Sequence, residues 1–241
     1  MNAPTGARHK VRRVTDRHQL VRAGAHVAIC DLFSDQLAPL KAECEALAAG
    51  GRVSVHGCDV ADEAQVIAFR DTVLREHATD HVELLFNNAG IAGGGSFIDA
   101  ERSVWERTFN VCWFGVYYCT RAFLPLLIKS SEACLINVSS INAVFALGRE
   151  GPHTAYCSAK FAIKGFSEAL LTDLRIHAPH VAWVLVMPGH IGTSIVVNTM
   201  RSQGLKQPKD MTPEELAGLR LLLTARNIPH AALSDAEVSA L

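Results

Sequence analysis

The sequence predicts an α/β fold in which a doubly wound parallel sheet is flanked by helices. Short apolar runs alternate with longer segments whose apolar residues recur at helical spacing, and this alternation is typical of strand, helix, strand units. The run at 181–187, VAWVLVM, is apolar throughout. Because a strand with one wet face alternates polar and apolar residues, continuous apolar runs indicate strands that are covered on both faces.

Five strands and five helices follow from these patterns. The expected strands are 25–31, 52–59, 82–87, 134–140 and 181–187. The expected helices are 34–49, 62–77, 100–129, 154–177 and, after a looser stretch, 213–225. Most of the helices begin near Ser, Asp or Thr residues that can cap them. This order predicts a Rossmann-like sheet, in which ligands bind beyond the carboxyl ends of the strands.

The length of 241 residues, with 49% hydrophobic residues, suits one buried core and predicts a single dinucleotide-binding-type domain over 1–241. Residues 1–20 form an atypical basic N-terminus, and 194–241 are expected to form a mobile flap and a C-terminal helical segment. Six Arg or Lys residues against one acid lie within 8–22. We interpret this stretch as a solvated terminal segment; a transit peptide or a basic arm is the alternative.

Composition argues against several classes of partner. A net charge of −1 gives no overall field that would attract nucleic acid or an acidic membrane surface. The apolar run at 181–187 has seven residues, whereas a bilayer needs about 20. The seven cysteines form no C-x-x-C pair, which favours reduced thiols and no metal site. Since the N-terminus also lacks the apolar core of a secretory signal, a cytoplasmic location is expected.

Tyr156 and Lys160 are the first candidates for chemistry. Four positions apart on a predicted helix, they lie on one face about a turn apart. A free tyrosine has a pKa of about 10, and a neighbouring cation favours the phenolate, so the lysine makes the tyrosine usable in proton transfer near neutral pH. The spacing alone is weak evidence, because a surface lysine beside a half-buried tyrosine has the same pattern.

Further motifs accompany this pair in a fixed order. N-N-A-G occupies 87–90, F-N-V contains Asn110, N-V-S-S ends at Ser140, Y-C-S-A-K contains the pair, and P-G-H-I-G-T starts at Pro188. Together they resemble the short-chain dehydrogenase/reductase family over residues 21–200. The N-N-A-G, N-V-S-S and P-G-H-I-G-T motifs fall at strand ends that the fold prediction selects.

The resemblance implies four catalytic residues. Tyr156 would be the general acid/base that exchanges a proton with the substrate oxygen. Lys160 would lower the pKa of Tyr156 and hold the nicotinamide ribose. Ser140 would hydrogen-bond the reacting oxygen, or alternatively satisfy backbone groups at a strand end. Asn110 would hold a water that links Lys160 to solvent, or alternatively cap a helix kink.

The resemblance also implies a dinucleotide site. Its expected residues are Asp31, Asp59, Val60, Asn88, Ala89, Gly90, Tyr156, Lys160, Pro188, Gly189, Ile191 and Thr193. Asp31 ends a strand, where an acid accepts hydrogen bonds from the adenosine ribose and repels a 2′-phosphate. No Lys or Arg occurs between Asp31 and Lys41. NAD is therefore expected rather than NADP.

The first strand and Gly-rich turn of the family, T-G-x-x-x-G-x-G, are missing or degraded. One alignment uses the Thr-Gly-Ala at 5–7 and has almost no preceding chain to form a strand. The other uses 10–15 and leaves eight residues before Gly24, fewer than a parallel crossover of about a dozen needs. In either case, backbone N–H groups that normally receive the pyrophosphate are lost.

The sequence thus predicts an NAD-dependent oxidoreductase that acts on an alcohol or ketone. Apolar residues near Ser140 are expected to line the substrate pocket, and the chain is expected to form a homo-oligomer. A catalytically silent interaction protein of the same fold, or a truncated member unable to bind cofactor, is the alternative. Nucleic-acid binding through the basic N-terminus has little support, because no aromatic residues are interleaved with the basic ones.

Overall fold

The computed structural model describes residues 17–93, 95–146, 152–189 and 195–225. These residues divide into two compact units, the first ending at Gly57 and the second beginning at Cys58. The stretches at 5–7 and 10–15, the two candidates for the Gly-rich turn, lie outside the described residues. The predicted single domain remains a prediction.

The first unit is a strand, helix, strand crossover preceded by a short helix. Its elements are α1 (Arg17–Arg22), β1 (Val27–Asp31), α2 (Leu37–Leu47) and β2 (Val53–Gly57). The two strands pair in parallel from Val27↔Val53 to Asp31↔Gly57. Val21, Cys44 and Val53 form the buried core of this unit, which explains why an isolated thiol occurs at the inner face of α2.

The second unit contains a three-stranded parallel sheet in the order β3, β4, β5. Its elements are α3 (Glu63–His77), β3 (Leu84–Asn87), α4 (Arg102–Phe109), α5 (Gly115–Lys129), β4 (Ala133–Val138), α6 (Thr154–His177), β5 (Val181–Val186), α7 (Ile195–Ser202) and α8 (Pro213–Ala225). The helices α6 and α8 have the predicted bounds. Strands β2, β4 and β5 end one or two residues before the predicted positions, and β1, β2 and β3 start one or two residues after them.

Local chemistry explains several of these boundaries. Asp62 caps α3, its carboxylate accepting bonds from the N–H groups of Ala64 and Gln65. The same helix ends at Ala78, whose left-handed φ of 51° closes the last turn. Strand β4 lies between β3 and β5, and its last four residues are buried. It is therefore the most buried strand of this sheet.

The core under this sheet is aliphatic, with Leu127, Leu135, Leu174 and Val181 fully or almost fully buried. A second buried group is polar. Asn137 on β4 accepts a bond from Asn87 on β3 and donates one to Ser167 on α6, at 2.8 and 2.9 Å. These bonds satisfy the Asn137 amide and so allow its burial, whereas Asn87 Oδ1 is buried without a hydrogen-bond partner among the described residues.

The segment predicted as one helix at 100–129 is interrupted by a wide turn. Between α4 and α5, residues 110–114 form a π-helical turn in which the N–H of Gly115 bonds to the carbonyl of Asn110. The helix Arg102–Lys129 is long and apolar enough, by length and composition, to cross a membrane, and among the described residues no other qualifies. Over half of its most apolar window is buried within the protein, as expected for a core helix.

Candidate active site

The carboxyl ends of β3, β4 and β5 lie along one edge of the sheet. After β4, the N–H of Ser139 bonds to the carbonyl of Val186 at 2.8 Å, and the N–H of Ile141 bonds to that of Pro188 at 2.9 Å. The loops that follow β4 and β5 are therefore joined beyond the sheet. The polar and small residues at this edge include the catalytic and cofactor-binding residues that the sequence predicts.

Tyr156 lies in the first turn of α6 and Lys160 one turn later. The Lys160 Nζ atom is 5.4 Å from the centroid of the Tyr156 ring. Tyr156 is half-buried, whereas Lys160 is only 4% exposed. The predicted spacing thus places a buried amine next to a partly exposed tyrosine.

Two hydrogen bonds fix Lys160 to β4. Its Nζ donates to the carbonyl of Val138 at 3.0 Å, and the hydroxyl of Ser139 donates to the carbonyl of Lys160 at 2.8 Å. Burial lowers the pKa of Lys160, because the charged form loses water. The neighbouring serine at 139 therefore has a structural role in this site.

Ser140 follows directly and is buried. Its hydroxyl oxygen accepts a bond from the N–H of Asn142 at 3.2 Å and so caps the short 3-10 turn Ile141–Ala143. Accepting uses one lone pair and leaves the hydroxyl proton able to donate to another oxygen. The capping role that the sequence offered as an alternative is present, and it is compatible with a bond to a substrate.

Asn110 begins the π-helical turn and is half-buried. Cys112 of the same turn is fully buried, and its thiol donates to the carbonyl of Ile91 at 3.3 Å. In a regular helix two residues separated by two positions point in nearly opposite directions, and a widened turn changes this arrangement. Sequence periodicity gives no indication of such a turn, and Cys112 was missed for that reason.

Small residues after β3 leave room beside the lysine. Asn88 and Ala89 are exposed, and Gly90 is half-buried. A Cβ atom on Gly90 would lie 3.7 Å from Lys160 Nζ and 3.8 Å from Cys112 Sγ. The backbone of this loop is thus open to close approach by a ligand.

Asp59 and Val60, both expected at a cofactor, have other neighbours here. The Asp59 carboxylate accepts from Arg107 at 2.6 Å and from the N–H of Ala61 at 3.0 Å. Val60 packs against α5 so closely that a Cβ on Gly115 would come within 2.8 Å of it. Arg107 was missed, since nothing in its sequence surroundings indicates a partner 48 positions away.

Asp31 belongs to the first unit and ends β1. Its carboxylate accepts a bond from the N–H of Phe33 at 2.9 Å, which fixes the side chain at the strand end. At the end of β5, Pro188 is half-buried and Gly189 exposed, with nothing within 4 Å of a Cβ placed on Gly189. Ile191 and Thr193 lie outside the described residues.

An aromatic recess that the sequence did not reveal lies near the start of α6. Trp105 stacks on Phe109, contacts Phe97 edge-on, and donates from its indole N–H to Thr154 at 3.0 Å. The recess has a volume of about 350 Å³. Its lining residues are Ser96, Phe97, Ala100, Arg102, Trp105 and Glu106. Within the described residues, no group of three or more His, Cys, Asp or Glu side chains could hold a metal ion.

Comparison with known proteins agrees with this arrangement. The family model described as short chain dehydrogenase matches residues 17–204. The oxidoreductase SadH of Mycobacterium tuberculosis is 34% identical over 183 residues, which cover 76% of this chain and 64% of SadH. The 3-ketodihydrosphingosine reductase of Bacteroides thetaiotaomicron is 30% identical over 71% of this chain and 61% of that protein. The aligned region thus spans somewhat under two thirds of these relatives.

Solved structures show the same fold. A short-chain dehydrogenase/reductase from Burkholderia phymatum in complex with NAD has a TM-score of 0.70 and 27% identity, covering 90% of this chain and 74% of that one. A metagenomic short-chain oxidoreductase in complex with NADP has a TM-score of 0.60 and 28% identity, covering 71% and 74%. The chain belongs to the short-chain dehydrogenase/reductase family, a family of oxidoreductases with a Rossmann fold.

Proposed function

We propose that this chain is an oxidoreductase that interconverts an apolar alcohol and ketone with NAD(H), with Tyr156, Lys160 and Ser140 as its catalytic residues. The observation that carries the proposal is the pairing of the buried Lys160 with Tyr156, 5.4 Å from Nζ to the ring centroid. Lys160 is bonded to Val138 and Ser139, directly before Ser140, at the sheet edge where ligands of such folds bind. Asn110 would hold a water molecule near Lys160.

The residues at this edge suit the nicotinamide half of a dinucleotide. Gly90 leaves space next to Lys160 Nζ, Asn88 and Ala89 are exposed, and a Cβ on Gly189 would meet nothing within 4 Å. Lys160, Asn88 to Gly90 and Pro188 to Gly189 would hold this half, together with Ile191 and Thr193. Asp31, in the first unit, would accept hydrogen bonds from the adenosine ribose. Asp59 and Val60, in the second unit, would contact the adenine.

A bound nicotinamide supplies the acceptor or donor of the hydride. The chain itself handles the proton. In ketone reduction the Tyr156 hydroxyl donates its proton to the carbonyl oxygen, and in alcohol oxidation the phenolate accepts it. The Lys160 ammonium favours the phenolate, and Ser140 donates a hydrogen bond that holds the reacting oxygen in place.

Exposed apolar side chains near Ser140 support an apolar substrate. Ile141, Val144 and Phe145 have exposed fractions of 37%, 42% and 66%. Two other apolar residues of the loops at this edge, Ile91 and Ala143, are buried. The exposed set lies on the loop after β4, so a hydrophobic alcohol or ketone would contact it beside the reacting oxygen.

We also propose that the chain is cytoplasmic, binds neither nucleic acid nor membrane, and forms a homo-oligomer. Phe161 and Ile176 on α6 are 43% and 67% exposed, which leaves apolar surface for a second copy. Sedimentation equilibrium of the purified chain tests the last point. A monomer at micromolar concentration would contradict it.

Titration of the purified chain with NADH tests the proposal first. Nicotinamide fluorescence and the melting temperature should both change with saturation, since a ligand that binds the folded state stabilises it. No binding at millimolar NADH would instead support a silent or cofactor-incompetent family member.

Tyr156→Phe tests the chemical step with a conservative change. It removes the proton donor and leaves the ring, so turnover should fall at least about 10²-fold while NADH binding persists. Tyr118→Phe, on α5, is the matched control and should retain full turnover. Turnover by Tyr156→Phe close to that of the unchanged protein would refute the role of this residue.

A further inference from the structure

Asp59 and Arg107 form an ion pair between the loop before α3 and helix α4. The Arg107 Nη1 atom donates to Asp59 Oδ2 at 2.6 Å, and the two side chains are 26% and 22% exposed. A charge-assisted bond of this length is stronger than a neutral one, and partial burial reduces its screening by salt. The ion pair therefore ties the carboxylate to α4.

Further hydrogen bonds give this loop a defined shape. Asp59 Oδ1 accepts from the N–H of Ala61 at 3.0 Å, and the N–H of Asp59 donates to Gln65 Oε1 at 2.9 Å. Gln65 Nε2 donates in turn to Asp62 Oδ2 at 2.9 Å. The Asp59 carboxylate thus has a fixed orientation, with Arg107 bonded to one oxygen and the loop backbone to the other.

The carboxylate can still accept a hydrogen bond from a ligand. An ionised carboxylate has about four lone-pair sites on its two oxygens. The bonds from Arg107 and Ala61 occupy one site on each oxygen. Because the side chain is also partly exposed, the remaining sites are accessible to a donor that approaches from outside the loop.

An amino group is the donor on a nucleobase that suits this carboxylate. Adenine carries such a group, N6–H₂, whereas hypoxanthine has a carbonyl oxygen at the same position and would be repelled. Arg107 also offsets the charge of Asp59, which matters because the phosphates of a dinucleotide are anionic. Orientation and charge therefore both favour recognition of adenine by the paired carboxylate.

We propose that Arg107 is a positioning residue for base recognition: it holds the Asp59 carboxylate in the orientation that accepts a hydrogen bond from the amino group of adenine. The inference rests on the proposed function, in which Asp59 contacts the adenine of NAD(H). Arg107 itself contacts neither the adenine nor the reacting atoms in this arrangement.

Binding of two dinucleotides to the full chain tests the inference without turnover. NADH and reduced nicotinamide hypoxanthine dinucleotide differ at the base, and nicotinamide fluorescence follows the binding of both. The unchanged protein should bind NADH at least about tenfold more tightly. In Arg107→Met this ratio should fall to about threefold or less, and Arg107→Lys should restore part of it, because the ammonium keeps the charge but not the planar fork.

Two comparisons make the result specific. Arg102→Met removes a 90% exposed arginine of the same helix that pairs with Glu106, and the ratio should not change. Asp59→Ala should lower the ratio as far as Arg107→Met does, and combining the two substitutions should lower it no further. An unchanged ratio in Arg107→Met, or an equal fall in Arg102→Met, would overturn the proposal.

Amide hydrogen exchange follows the positioning of Asp59 in the chain without dinucleotide. In Arg107→Met the N–H of Ala61 should exchange at least about fivefold faster, because its acceptor is no longer held. The N–H of Leu135, in β4, should keep its exchange rate, which excludes a general loss of stability. Unchanged exchange at Ala61 would show that Arg107 does not position Asp59.

These measurements separate the inference from the proposed function. If the unchanged protein bound neither dinucleotide, the proposed function would be refuted, and hydrogen exchange at Ala61 would still decide whether Arg107 positions Asp59. If it bound both dinucleotides equally well, the proposed function would stand. The role of Asp59 and Arg107 in recognising adenine would then be refuted.

Discussion

Burying an amine makes stability depend on pH, and Lys160 is the residue at which this should be measurable. Its pKa is lowered in the folded protein, because burial disfavours the charged form. Between the lowered folded value and the unfolded value of 10.5, the unfolded chain binds more protons than the folded one. The free energy of unfolding contributed by Lys160 therefore rises as pH increases through this window and is smallest below it.

Comparison with Lys160→Met isolates this contribution. Urea unfolding of both proteins from neutral pH toward pH 10 should show the unchanged protein gaining stability relative to the variant. Lys164→Met removes a partly exposed lysine of the same helix that pairs with Glu168, and it should follow the unchanged protein. A constant difference between the unchanged protein and Lys160→Met at all pH values would contradict the lowered pKa.

At this scale the sequence identified some partners and missed others. Tyr156 and Lys160 were found because a four-residue spacing on a helix dictates contact in any fold. The contact of Cys112 with the carbonyl of Ile91 depends on a π-helical turn, which adds a residue to one turn and rotates everything after it. No local residue pattern specifies that turn, so its consequence could be seen only in three dimensions.

The loop after β3 is held by two helices, and Gly93 is the point of closest approach. A Cβ there would lie 2.6 Å from both Gln203 Nε2 and Thr108 Oγ1. Beside it, the N–H of Ala92 donates to Thr199 on α7 at 2.8 Å. The flexible end of Gln203 can move aside, but Gly93→Ala must also displace the buried Thr108 hydroxyl, which is bonded to the Val104 carbonyl. We therefore expect a loss of roughly 1–3 kcal/mol in the free energy of unfolding.

Gly165→Ala is the matched change, because nothing lies within 4 Å of its added Cβ and the glycine is exposed on α6. Alanine in a helix should raise the stability by about 0.5–1 kcal/mol. Urea unfolding measures both variants. Equal effects of the two substitutions would show that the crowding at Gly93 has no energetic consequence.

The hydrogen-bond network between β3, β4 and α6 should also contribute to stability. Asn137→Leu keeps a similar volume but deprives the Asn87 amide and the Ser167 hydroxyl of a buried partner. Unsatisfied groups of this kind cost about 1–3 kcal/mol each, so unfolding free energy should fall by about 2–4 kcal/mol. A loss below about 0.5 kcal/mol in urea would indicate that the network adds little.

Helices were easier to predict than strand ends and loops. The helix α6 has the predicted bounds, because Thr154 starts a continuous run of helix-forming and periodic residues. The predicted strand at 134–140 ends at Val138, and Ser140 caps the 3-10 turn at 141–143 that follows it. The helix α7 fell in a stretch expected to be a flap, and its Thr199 contacts a loop 107 positions away.

For the whole molecule, alternation of apolar runs and helical patterns was sufficient to predict parallel strands joined by helices. Both sheets have that parallel pairing, and structures of related proteins have the same fold. The pairing follows because two strands joined by a helical crossover point the same way. Contacts such as Asp59 with Arg107 join distant segments, and no pattern of neighbours along the chain encodes them.

We expect the choice between NAD and NADP to depend on the end of β1. The carboxylate of Asp31 is fixed there by its bond to the N–H of Phe33, and no Lys or Arg follows before Lys41. A 2′-phosphate bound there would meet this negative charge, and residues 32–40 supply no cation to offset it. The kcat/KM with NADH should therefore exceed that with NADPH, and Asp31→Ala should reduce the ratio at least about tenfold, or about 1.4 kcal/mol.

Asp35→Ala, four positions on in the 3-10 turn at 34–36, is the matched loss of an acid and should leave the ratio near that of the unchanged protein. Initial rates with both cofactors at low concentration measure the ratios. If the unchanged protein used NADPH more efficiently, Asp31 could not be the group that selects the cofactor. If Asp31→Ala and Asp35→Ala changed the ratio equally, selection would come from general charge and not from the fixed carboxylate at the end of β1.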